Sequence, residues 1–297
     1  MTDPVTDGLT WTAMVADAVD RALAEDLLAD GDLSAALVPA DAVAHFQLRA
    51  RADGVLAGRD CASETFRRLD PTLVVEWHAV DGDVLSPGFV VMDVTGSLRP
   101  ILTAERTALN FLGHLSGIAT LTARHVAAAH ARNAKVQVLD TRKTTPGLRA
   151  LEKAAVRAGG GVNHRFSLSE AVLVKDNHLA GVSISQAVAR ARALWPGRMV
   201  QVECDDVEQV AEAARAGVDS VLLDNMDPAT VARAIAVAQA EGSGVLTEVS
   251  GNINLQTIGD YASAGPDRIS VGALTHSAPV LDLGLDLIWR DDTSGGR

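Results

Sequence analysis

The stretch from Met199 to Asp224, MVQVECDDVEQVAEAARAGVDSVLLD, decides the fold class. Two short valine-rich runs, MVQVE and SVLLD, flank an alanine-rich segment whose apolar residues recur at helical spacing. Asp205 followed by Glu208 resembles a capping box at the start of that helix, and Gly217 is placed to end it. A strand, a helix and a second strand in this order predict a pair of parallel strands.

The same rhythm continues on both sides of this stretch. The valine-rich runs are Val136–Asp140, Ala171–Lys175, Met199–Glu203, Ser220–Asp224, Gly244–Val249 and Arg268–Gly272. Six strands separated by helices predict an α/β fold with an incomplete or open β/α barrel of the TIM type, because a closed barrel needs eight. Two further strands could lie in poorly patterned segments such as Gly159–Phe166. Asp227 before Pro228 predicts the start of another helix.

The N-terminal part has a different pattern. Helical segments alternate with strand-like ones, which predicts an antiparallel sheet with helices on one face, an α+β sandwich. The helical segments are Thr12–Asp26 and Ala62–Leu69, and the strand-like ones are His45–Ala52, Leu73–Ala79 and Val84–Val94. We therefore predict a sandwich domain over residues 1–112, with residues 277–297 packing back on it, and a barrel domain carrying the active site over residues 113–276.

The segment that joins the two predicted domains is helical in pattern. Gly113 and Gly117 interrupt it, so the sequence predicts two helices or one broken helix over Thr103–Ala131. The C-terminal tail, Asp291–Arg297, is expected to be disordered.

Composition excludes several classes of protein. No run of 18 apolar residues occurs in the 297-residue chain, and the first ten residues are polar and acidic, so we expect neither a membrane span nor a signal peptide. Cys61 and Cys204 form no CxxC pattern, which predicts neither a disulfide framework nor a zinc site and fits a reducing cytoplasm. We expect Cys204 to be a small core residue.

The lysines are concentrated in one region. All four lie between Lys135 and Lys175, and the stretch from Thr141 to Lys175 holds seven lysines and arginines against two acids in a chain of net charge −12. One basic region in an acidic protein indicates a small anionic ligand rather than nucleic acid or a membrane. Lys135 and Lys153 are expected to be solvent-facing helix residues, whereas Lys143 and Lys175 follow apolar runs.

Polar residues stand at the carboxyl ends of the predicted strands, where β/α barrels build their active sites. Arg142 and Lys143 suit phosphate or carboxylate, although a loop making surface salt bridges is the alternative. Glu203 and Asp224 end successive strands and could serve as general acid and base, or hold magnesium and sugar hydroxyls, or merely balance the cations.

Histidines and glycines complete the candidate site. His164 and His178 stand beside basic residues in strand-end loops, and the other histidines considered, His45, His78, His125 and His130, are expected to be structural. The last two strands are followed by Ser250–Asn252 and Val271–Ala273, where backbone N–H groups can hold phosphate. Neither HxH nor HExxH occurs, so no dedicated metal site is predicted.

Several longer motifs resemble the quinolinate phosphoribosyltransferase family, and the resemblance runs from about Glu25 to Asp286. The motifs are Asp140–Arg149 (DTRKTTPGLR), Gly160–Arg165 (GGVNHR), Val174–His178 (VKDNH), Glu248–Ile253 (EVSGNI), Glu105–Asn110 (ERTALN), Ser116–Thr120 (SGIAT) and Glu25–Asp32 (EDLLADGD). The resemblance implies a pentosyl transferase of NAD synthesis that converts quinolinate and phosphoribosyl pyrophosphate to nicotinate mononucleotide, carbon dioxide and pyrophosphate. It also implies Mg²⁺, bound with the phosphoribosyl pyrophosphate, and a homodimer with shared sites.

The resemblance assigns roles to individual residues. Lys143, Lys175, Glu203 and Asp224 would be catalytic, and Arg106 would reach the site of the partner subunit. The substrate-binding residues would be Arg106, Thr141, Arg142, Lys143, His164, Arg165, Lys175, Glu203, Asp224, Ser250, Gly251, Asn252, Val271, Gly272 and Ala273.

Two other functions remain open from the residues alone. A Schiff-base aldolase of the β/α-barrel type would use Lys143 or Lys175 as its amine. A non-enzymatic protein that binds phosphorylated sugars would need the cations but not Glu203 and Asp224.

Overall fold

A computed structural model of the protein describes residues 8–291. The helices are α1 (Gly8–Leu27), α2 (Arg59–Leu69), α3 (Leu98–His130), α4 (Arg149–Ala158), α5 (Ile184–Leu194), α6 (Val207–Arg215), α7 (Pro228–Glu241), α8 (Ile258–Ser263) and α9 (Ala273–His276). The strands are β1 (Val43–Ala50), β2 (Gly54–Val55), β3 (Val74–Trp77), β4 (Val84–Leu85), β5 (Val90–Ser97), β6 (Gln137–Leu139), β7 (Val172–Val174), β8 (Val200–Cys204), β9 (Ser220–Asp224), β10 (Leu246–Ser250), β11 (Arg268–Ser270) and β12 (Leu283–Asp291). Of the predicted disordered tail, Asp291 ends β12 and residues 292–297 lie outside the described residues.

The described residues form two compact units. The sandwich unit comprises the chain up to Leu121, Thr145–Gly160 and the part from Ala278 onward. The barrel unit comprises Thr122–Thr144 and Gly161–Ser277. The segment Thr145–Gly160, which contains α4, thus groups with the sandwich unit, although its position in the sequence put it inside the predicted barrel domain. The domain boundaries themselves stay a prediction.

The sandwich unit is built on an antiparallel sheet in the order β12-β1-β5-β3. Burial alternates along β1 as expected for a strand with one face on the core, and Phe46 and Leu48 are on the buried side. The last strand, β12, comes from the far end of the chain and pairs along the full length of β1. The predicted antiparallel sheet of the N-terminal part is confirmed.

The helix α3 is continuous, so the prediction of two helices or one broken helix is wrong. Within the sandwich unit, a Cβ at Gly113 would lie 3.2 Å from the Leu281 carbonyl oxygen, and one at Gly117 would overlap the Pro279 carbonyl oxygen. The two glycines therefore allow close approach of the C-terminal segment to the helix. They do not interrupt the helix, because a single glycine costs only about 1 kcal/mol in a helix interior.

Two lysines differ from their predicted surroundings. Lys153, in α4, is only 1 % exposed, so the prediction that it faces solvent is wrong; it lies on the buried face of the helix beside Glu152. Lys135 is exposed as predicted, but it lies in the turn before β6 and not on a helix. A helical pattern alone gives a lysine no signal of burial, because burial depends on the partner packed against that face.

The barrel unit contains the six predicted strands, all parallel, in the order β6-β11-β10-β9-β8-β7 within the described residues. The sheet has two ends, at β6 and β7, so the barrel is open as predicted. Between β6 and β7 in the sequence, the segment Gly159–Phe166 forms one isolated parallel bridge, from Val162 to Leu139. It contains no further strand among the described residues.

Helix caps in the barrel unit follow local hydrogen bonding. Asp227 accepts hydrogen bonds from the backbone of Ala229 and Thr230, so the predicted start of α7 is confirmed. The start of α6 is corrected by one residue: Asp206, not Asp205, is the N-cap and accepts from the Gln209 N–H at 2.8 Å.

Candidate active site

All but one of the predicted site residues belong to the barrel unit and lie at or just beyond the carboxyl ends of its strands. Thr141, Arg142 and Lys143 follow β6, and Lys175 follows β7. Glu203 lies in β8, and Asp224 ends β9. His164 and Arg165 follow the bridge at Val162; Ser250, Gly251 and Asn252 follow or end β10; Val271, Gly272 and Ala273 follow β11. Because parallel strands end at one edge of a sheet, the fold gathers these residues at a single mouth.

Two arginines at this mouth, Arg142 and Arg165, lie close enough to influence each other. Burial lowers the pKa of Arg165, and the neighbouring positive charge of Arg142 lowers it further, while Glu170 opposes the shift. Arg165 is held in place by donating from Nη1 to the Ala171 carbonyl oxygen at 2.8 Å. Two half-buried guanidiniums that influence each other suit an anion, since a planar carboxylate can accept from both.

A cation and two carboxylates lie next along the mouth. The Lys175 ammonium forms an ion pair with Glu203. Burial raises the pKa of Asp224, and the charge of Glu203 raises it further, while Lys175 opposes the shift. Glu203, Asp224 and Lys175 are thus close enough to influence one another. A polyhydroxyl group or a developing positive charge would find two negative charges here.

The basic side chain of Lys175 is positioned by a local turn. The backbone N–H of Lys175 donates to His178 Nδ1 at 3.0 Å, within the short 3₁₀ turn Asp176–His178. His178, a candidate for chemistry from the sequence, thus has a hydrogen-bonding role in the shape of the loop.

The loop after β10 packs tightly against the turn after β9. Gly251 has φ +102°, and a Cβ there would strike the side chain and backbone N of Asn225. Asn225 and Asn252 also have positive φ, and the Asn225 N–H donates to the Ser250 carbonyl oxygen at 2.9 Å. This packing of two turns leaves no space for a larger residue at position 251.

Lys143 and Gly272 meet at the end of the sheet where β6 and β11 pair. Thr275 Oγ1 donates to the Lys143 carbonyl oxygen at 2.8 Å, and the Lys143 N–H donates to Thr141 Oγ1 at 3.0 Å. A Cβ at Gly272 would lie 3.0 Å from Lys143 Cδ and 3.2 Å from His276 Nε2. The Lys143 side chain is exposed while its backbone is fixed on both sides.

Sequence reasoning missed His276. Its ring lies against Gly272 beside the Lys143 side chain, and its Nδ1 is 2.7 Å from Ser277 Oγ. A histidine four residues after a strand-end glycine was the available signal, since one helical turn brings the two together.

Sequence reasoning did not predict the burial of three polar residues beneath the mouth and gave them no role in the site. Asp140, Gln201 and Glu248 are at most 3 % exposed and lie in or directly after strands. Asp140 accepts from the Asn163 side chain and the His164 N–H, and Glu248 accepts from Gln201 Nε2 at 3.0 Å. A polar residue in the middle of an apolar run, as in VQVE, was the signal for these positions.

Arg106 is the one predicted residue outside the barrel unit. It is exposed on α3, in the part of the helix that belongs to the sandwich unit. Its predicted role in the site of a partner subunit stays a prediction.

Other chemistry finds little support within the described residues. Burial raises the pKa of Cys204 to about 12, with nearby acids adding to the shift, so its thiol is not primed as a nucleophile. Across residues 8–291 no group of three or more histidine, cysteine or acidic side chains could hold a metal ion. No helix in that range has both the length and the apolar character needed to cross a membrane.

Comparison with known proteins identifies the family. The model of the quinolinate phosphoribosyl transferase N-terminal domain matches residues 32–116, and that of the C-terminal domain matches residues 118–286. The nicotinate-nucleotide pyrophosphorylase [carboxylating] of Mycobacterium leprae is 42% identical over 278 residues, covering 91% of this chain and 96% of the relative. A probable enzyme of the same name from Bacillus subtilis is 39% identical over 266 residues, covering 89% of this chain and 90% of the relative.

Solved structures agree with these matches. The nicotinate-nucleotide pyrophosphorylase of Francisella tularensis superposes with a TM-score of 0.87 at 38% identity, covering 93% of this chain and 96% of that one. NadC from Streptococcus pyogenes gives a TM-score of 0.87 at 42% identity, covering 93% and 98%. The predicted fold, enzyme class and reaction are confirmed by these matches. Two domain models that together span most of the chain, and relatives at about 40% identity, show that the chain belongs to the quinolinate phosphoribosyltransferase family.

Proposed function

We propose that the strand-end mouth of the barrel unit transfers the phosphoribosyl group of phosphoribosyl pyrophosphate to quinolinate, with decarboxylation, in NAD synthesis. The observation that carries this assignment is the pair of mutually repelling guanidiniums, Arg142 and Arg165, on the same edge as the Lys175–Glu203–Asp224 cluster. The two guanidiniums suit a dianionic acceptor, and the Lys175–Glu203–Asp224 cluster suits a phosphorylated sugar.

Each group has a separate task in this proposal. Arg142 and Arg165 bind the carboxylates of quinolinate, with Thr141 and Lys175 beside them. Lys143 stands at the β6–β11 end of the mouth, near Gly272, where it meets pyrophosphate or the 5′-phosphate. The turns at Ser250–Asn252 and Val271–Ala273 supply backbone donors to phosphate.

The chemistry needs no covalent enzyme intermediate. The pyridine nitrogen of quinolinate forms a bond to the anomeric carbon of the sugar while the bond to pyrophosphate breaks. Positive charge that develops on the sugar is stabilised by Glu203 and Asp224, which also accept from its hydroxyls. The carboxylate next to the ring nitrogen then leaves as carbon dioxide, and a proton takes its place on the ring carbon.

Magnesium fits the donor set of this mouth. Mg²⁺ is held in proteins by one or two carboxylates together with substrate phosphates, and Glu203 and Asp224 are adjacent carboxylates. When bound with phosphoribosyl pyrophosphate, the ion would neutralise charge on the leaving pyrophosphate. Chelation of magnesium should therefore stop turnover, and addition of Mg²⁺ should restore it.

A homodimer with shared sites belongs to the same proposal. Arg106 is exposed on α3, so it is available to a second copy of the chain, and we assign it to the carboxylates of quinolinate in the partner's site. We place the enzyme in the cytoplasm, which is consistent with the buried free thiols of Cys61 and Cys204.

Specific contacts argue against the two alternative functions. An aldolase needs one neutral lysine amine, whereas Lys175 is engaged with the Glu203 carboxylate as a cation. A sugar-phosphate binding protein has no need for Asp224 to be held next to Glu203 against its own charge. Borohydride should trap no substrate on the protein, and a trapped adduct would support the aldolase.

Product identification tests the proposed function. Purified protein with quinolinate, phosphoribosyl pyrophosphate and Mg²⁺ should form nicotinate mononucleotide, separated by chromatography and identified by mass. Nicotinate is tried in parallel, since it lacks the second carboxylate that the guanidinium pair needs. Failure to form the nucleotide from quinolinate, or equal use of nicotinate, would contradict the proposal.

A further inference from the structure

Both ring nitrogens of His164 are engaged inside the protein. The Arg165 backbone N–H donates to His164 Nδ1 at 2.7 Å, so Nδ1 is an acceptor and carries no proton. Nε2 then carries the proton of the neutral ring, and it lies 3.2 Å from Gln201 Oε1 and 3.3 Å from Glu248 Oε1. The protonated nitrogen of the ring thus lies beside the buried side chains of Gln201 and Glu248, beneath the mouth.

Glu248 is the charged group on that buried side. It lies on β10, is 0 % exposed, and accepts from Gln201 Nε2 at Oε2, 3.0 Å away. Gln201 Nε2 also lies 3.2 Å from Ser220 Oγ, which orients the amide with its oxygen toward His164. A buried carboxylate is costly unless it is paired. Gln201 Nε2 donates to Oε2, whereas Oε1 accepts no hydrogen bond from the described residues and has the His164 ring beside it at 3.3 Å.

The pKa of Glu248 agrees with this geometry. Burial alone would raise the pKa of this carboxyl, yet it lies below its ordinary value because His164, Gln201 and Ser270 stabilise the charged form. The carboxylate therefore remains an acceptor throughout the neutral pH range.

We propose that Glu248 is a positioning residue for the quinolinate site, acting through His164 on Arg165. Glu248 and Gln201 hold the proton of His164 on Nε2, and Nδ1 is thereby free to accept from the Arg165 N–H. This contact, together with the bond from Arg165 Nη1 to the Ala171 carbonyl oxygen, fixes the guanidinium for a carboxylate. The proposal rests on the proposed function, because it takes Arg165 as a ligand of quinolinate.

The backbone on the other side of His164 is fixed in a similar way. Asp140, which is 0 % exposed, accepts from the His164 N–H at 2.8 Å and from Asn163 Nδ2 at 2.6 Å. Two buried carboxylates, one at each end of the residue, thus hold the segment that carries Arg165. In this arrangement His164 orients Arg165, and its predicted role as a direct ligand of quinolinate stays a prediction.

The tautomer of His164 is the first test, and it needs no activity. Long-range ¹H–¹⁵N correlation spectra of the wild-type protein labelled with ¹⁵N-histidine report which ring nitrogen is protonated, with the His164→Gln spectrum assigning the signal. At pH 7.5 we expect proton on Nε2 and none on Nδ1. A proton on Nδ1, or a doubly protonated ring, would overturn the proposal even if the enzyme is fully active.

Kinetics of Glu248→Gln is the second test. The amide is uncharged and presents one acceptor oxygen where the carboxylate presents two, so the His164 ring loses the negative charge beside it and the Gln201 amide can lose its acceptor. We expect the KM for quinolinate to rise about tenfold, the effect of about 1.4 kcal/mol, with the KM for phosphoribosyl pyrophosphate nearly unchanged. A fall in kcat with both KM values unchanged would mean a purely structural role and would overturn the proposal.

Thr247→Val is the matched control. Thr247 precedes Glu248 in β10, is 2 % exposed, and its Oγ1 donates to Asp267 at 2.9 Å, away from His164. Successive strand residues point to opposite faces, so this change disturbs the same strand without touching His164. We expect an unchanged His164 tautomer and an unchanged KM for quinolinate; loss of either in this variant would contradict the specific role of Glu248. If the wild-type protein does not turn over quinolinate at all, the proposed function fails while the tautomer test still stands.

Discussion

The two strand-end lysines are held in different ways. Lys175 is paired with Glu203, and its backbone N–H is tied to His178. The Lys143 side chain is exposed, and only its backbone is fixed, by Thr141 and Thr275. An ammonium on a flexible stem next to fixed glycine turns can follow a phosphate as it leaves, whereas a paired ammonium keeps its place.

Replacement of either lysine should reduce turnover without unfolding the protein. For Lys143→Ala and for Lys175→Ala we expect kcat/KM to fall about 100-fold or more, the usual loss when one charged donor to a transition state is removed. Steady-state kinetics and thermal denaturation measure the two effects. Lys135→Ala, in an exposed turn before β6, is the control and should be silent. Near-normal rates in both site variants would contradict the roles assigned to Lys143 and Lys175.

We expect the ionised Asp224 carboxylate to lower the stability of the fold while it supports activity. Its raised pKa means that the folded chain binds the proton more tightly than the unfolded chain does, so the ionised carboxylate destabilises the fold at neutral pH. Asp224→Asn should therefore raise Tm at pH 7.5 by about 1–2 °C, since the group is partly exposed, while kcat falls about 100-fold. The gain in Tm should shrink as the pH is lowered through the raised pKa.

A second aspartate, Asp219, has a pKa shift in the opposite direction and checks this reasoning. Burial would raise the pKa of Asp219, yet the Arg192 side chain and the Val200 N–H lower it below its ordinary value. Asp219→Asn should thus lower Tm at pH 7.5, and the loss should disappear in acid. A lower Tm for Asp224→Asn at neutral pH would contradict the assigned balance of charges.

At the scale of elements, the sequence was enough to predict the parallel strands and the residues at their ends. Each strand is a short apolar run that stops at a polar residue, such as Lys175 after β7 or Asp224 in β9, and parallel pairing brings those ends together. The interior partners could not be predicted in the same way. Glu248 and Lys153 are charged residues that are buried, and the residues beside Glu248, His164 and Gln201, are distant from it in sequence.

The unit to which α4 belongs could not be predicted either. Its apolar positions repeat at helical spacing, which predicts a helix, but the pattern does not say which sheet the helix covers. In the structure Arg149–Ala158 groups with the sandwich unit, and Glu152 accepts from the Thr145 N–H and lies 2.8 Å from His114 Nε2. The glycines of α3 were misread for a related reason, since close approach of a distant segment leaves no local signal.

Gly117→Ala tests the account of α3. In an ordinary helix this change stabilises by up to about 1 kcal/mol, but here the new methyl group would overlap the Pro279 carbonyl oxygen. We expect a loss of about 1–3 kcal/mol in the free energy of unfolding, measured by urea denaturation. Asn110→Ala, at an exposed site on the same helix, is the control and should be neutral or slightly stabilising. A stabilised Gly117→Ala protein would show that the glycine is not required for the crossing.

At the scale of the whole molecule, the proposed function combines residues from two copies of the chain in one site. Arg106 belongs to the sandwich unit, while the other site residues belong to the barrel unit. Arg106→Ala and Lys143→Ala should each be nearly inactive alone. Mixed and allowed to exchange, they should recover about a quarter of wild-type activity, because half of the dimers are hybrids and each hybrid has one intact site of two.

Mixing Lys143→Ala with Lys175→Ala is the control for this experiment. Both lysines lie in the barrel unit of one chain, so no hybrid of these two variants has an intact site. Exchange of subunits is followed by mass spectrometry of differently labelled chains. If exchange occurs and the Arg106→Ala mixture recovers nothing, the shared site is wrong.

The central claim, that the strand-end mouth performs decarboxylating phosphoribosyl transfer, is tested most directly by carbon dioxide release. Quinolinate labelled in the carboxyl group next to the ring nitrogen is incubated with the protein and Mg²⁺, with and without phosphoribosyl pyrophosphate. We predict labelled carbon dioxide only when phosphoribosyl pyrophosphate is present, in equal amount to pyrophosphate, and its near loss in Lys175→Ala. Release without phosphoribosyl pyrophosphate, or none with it, would contradict the account.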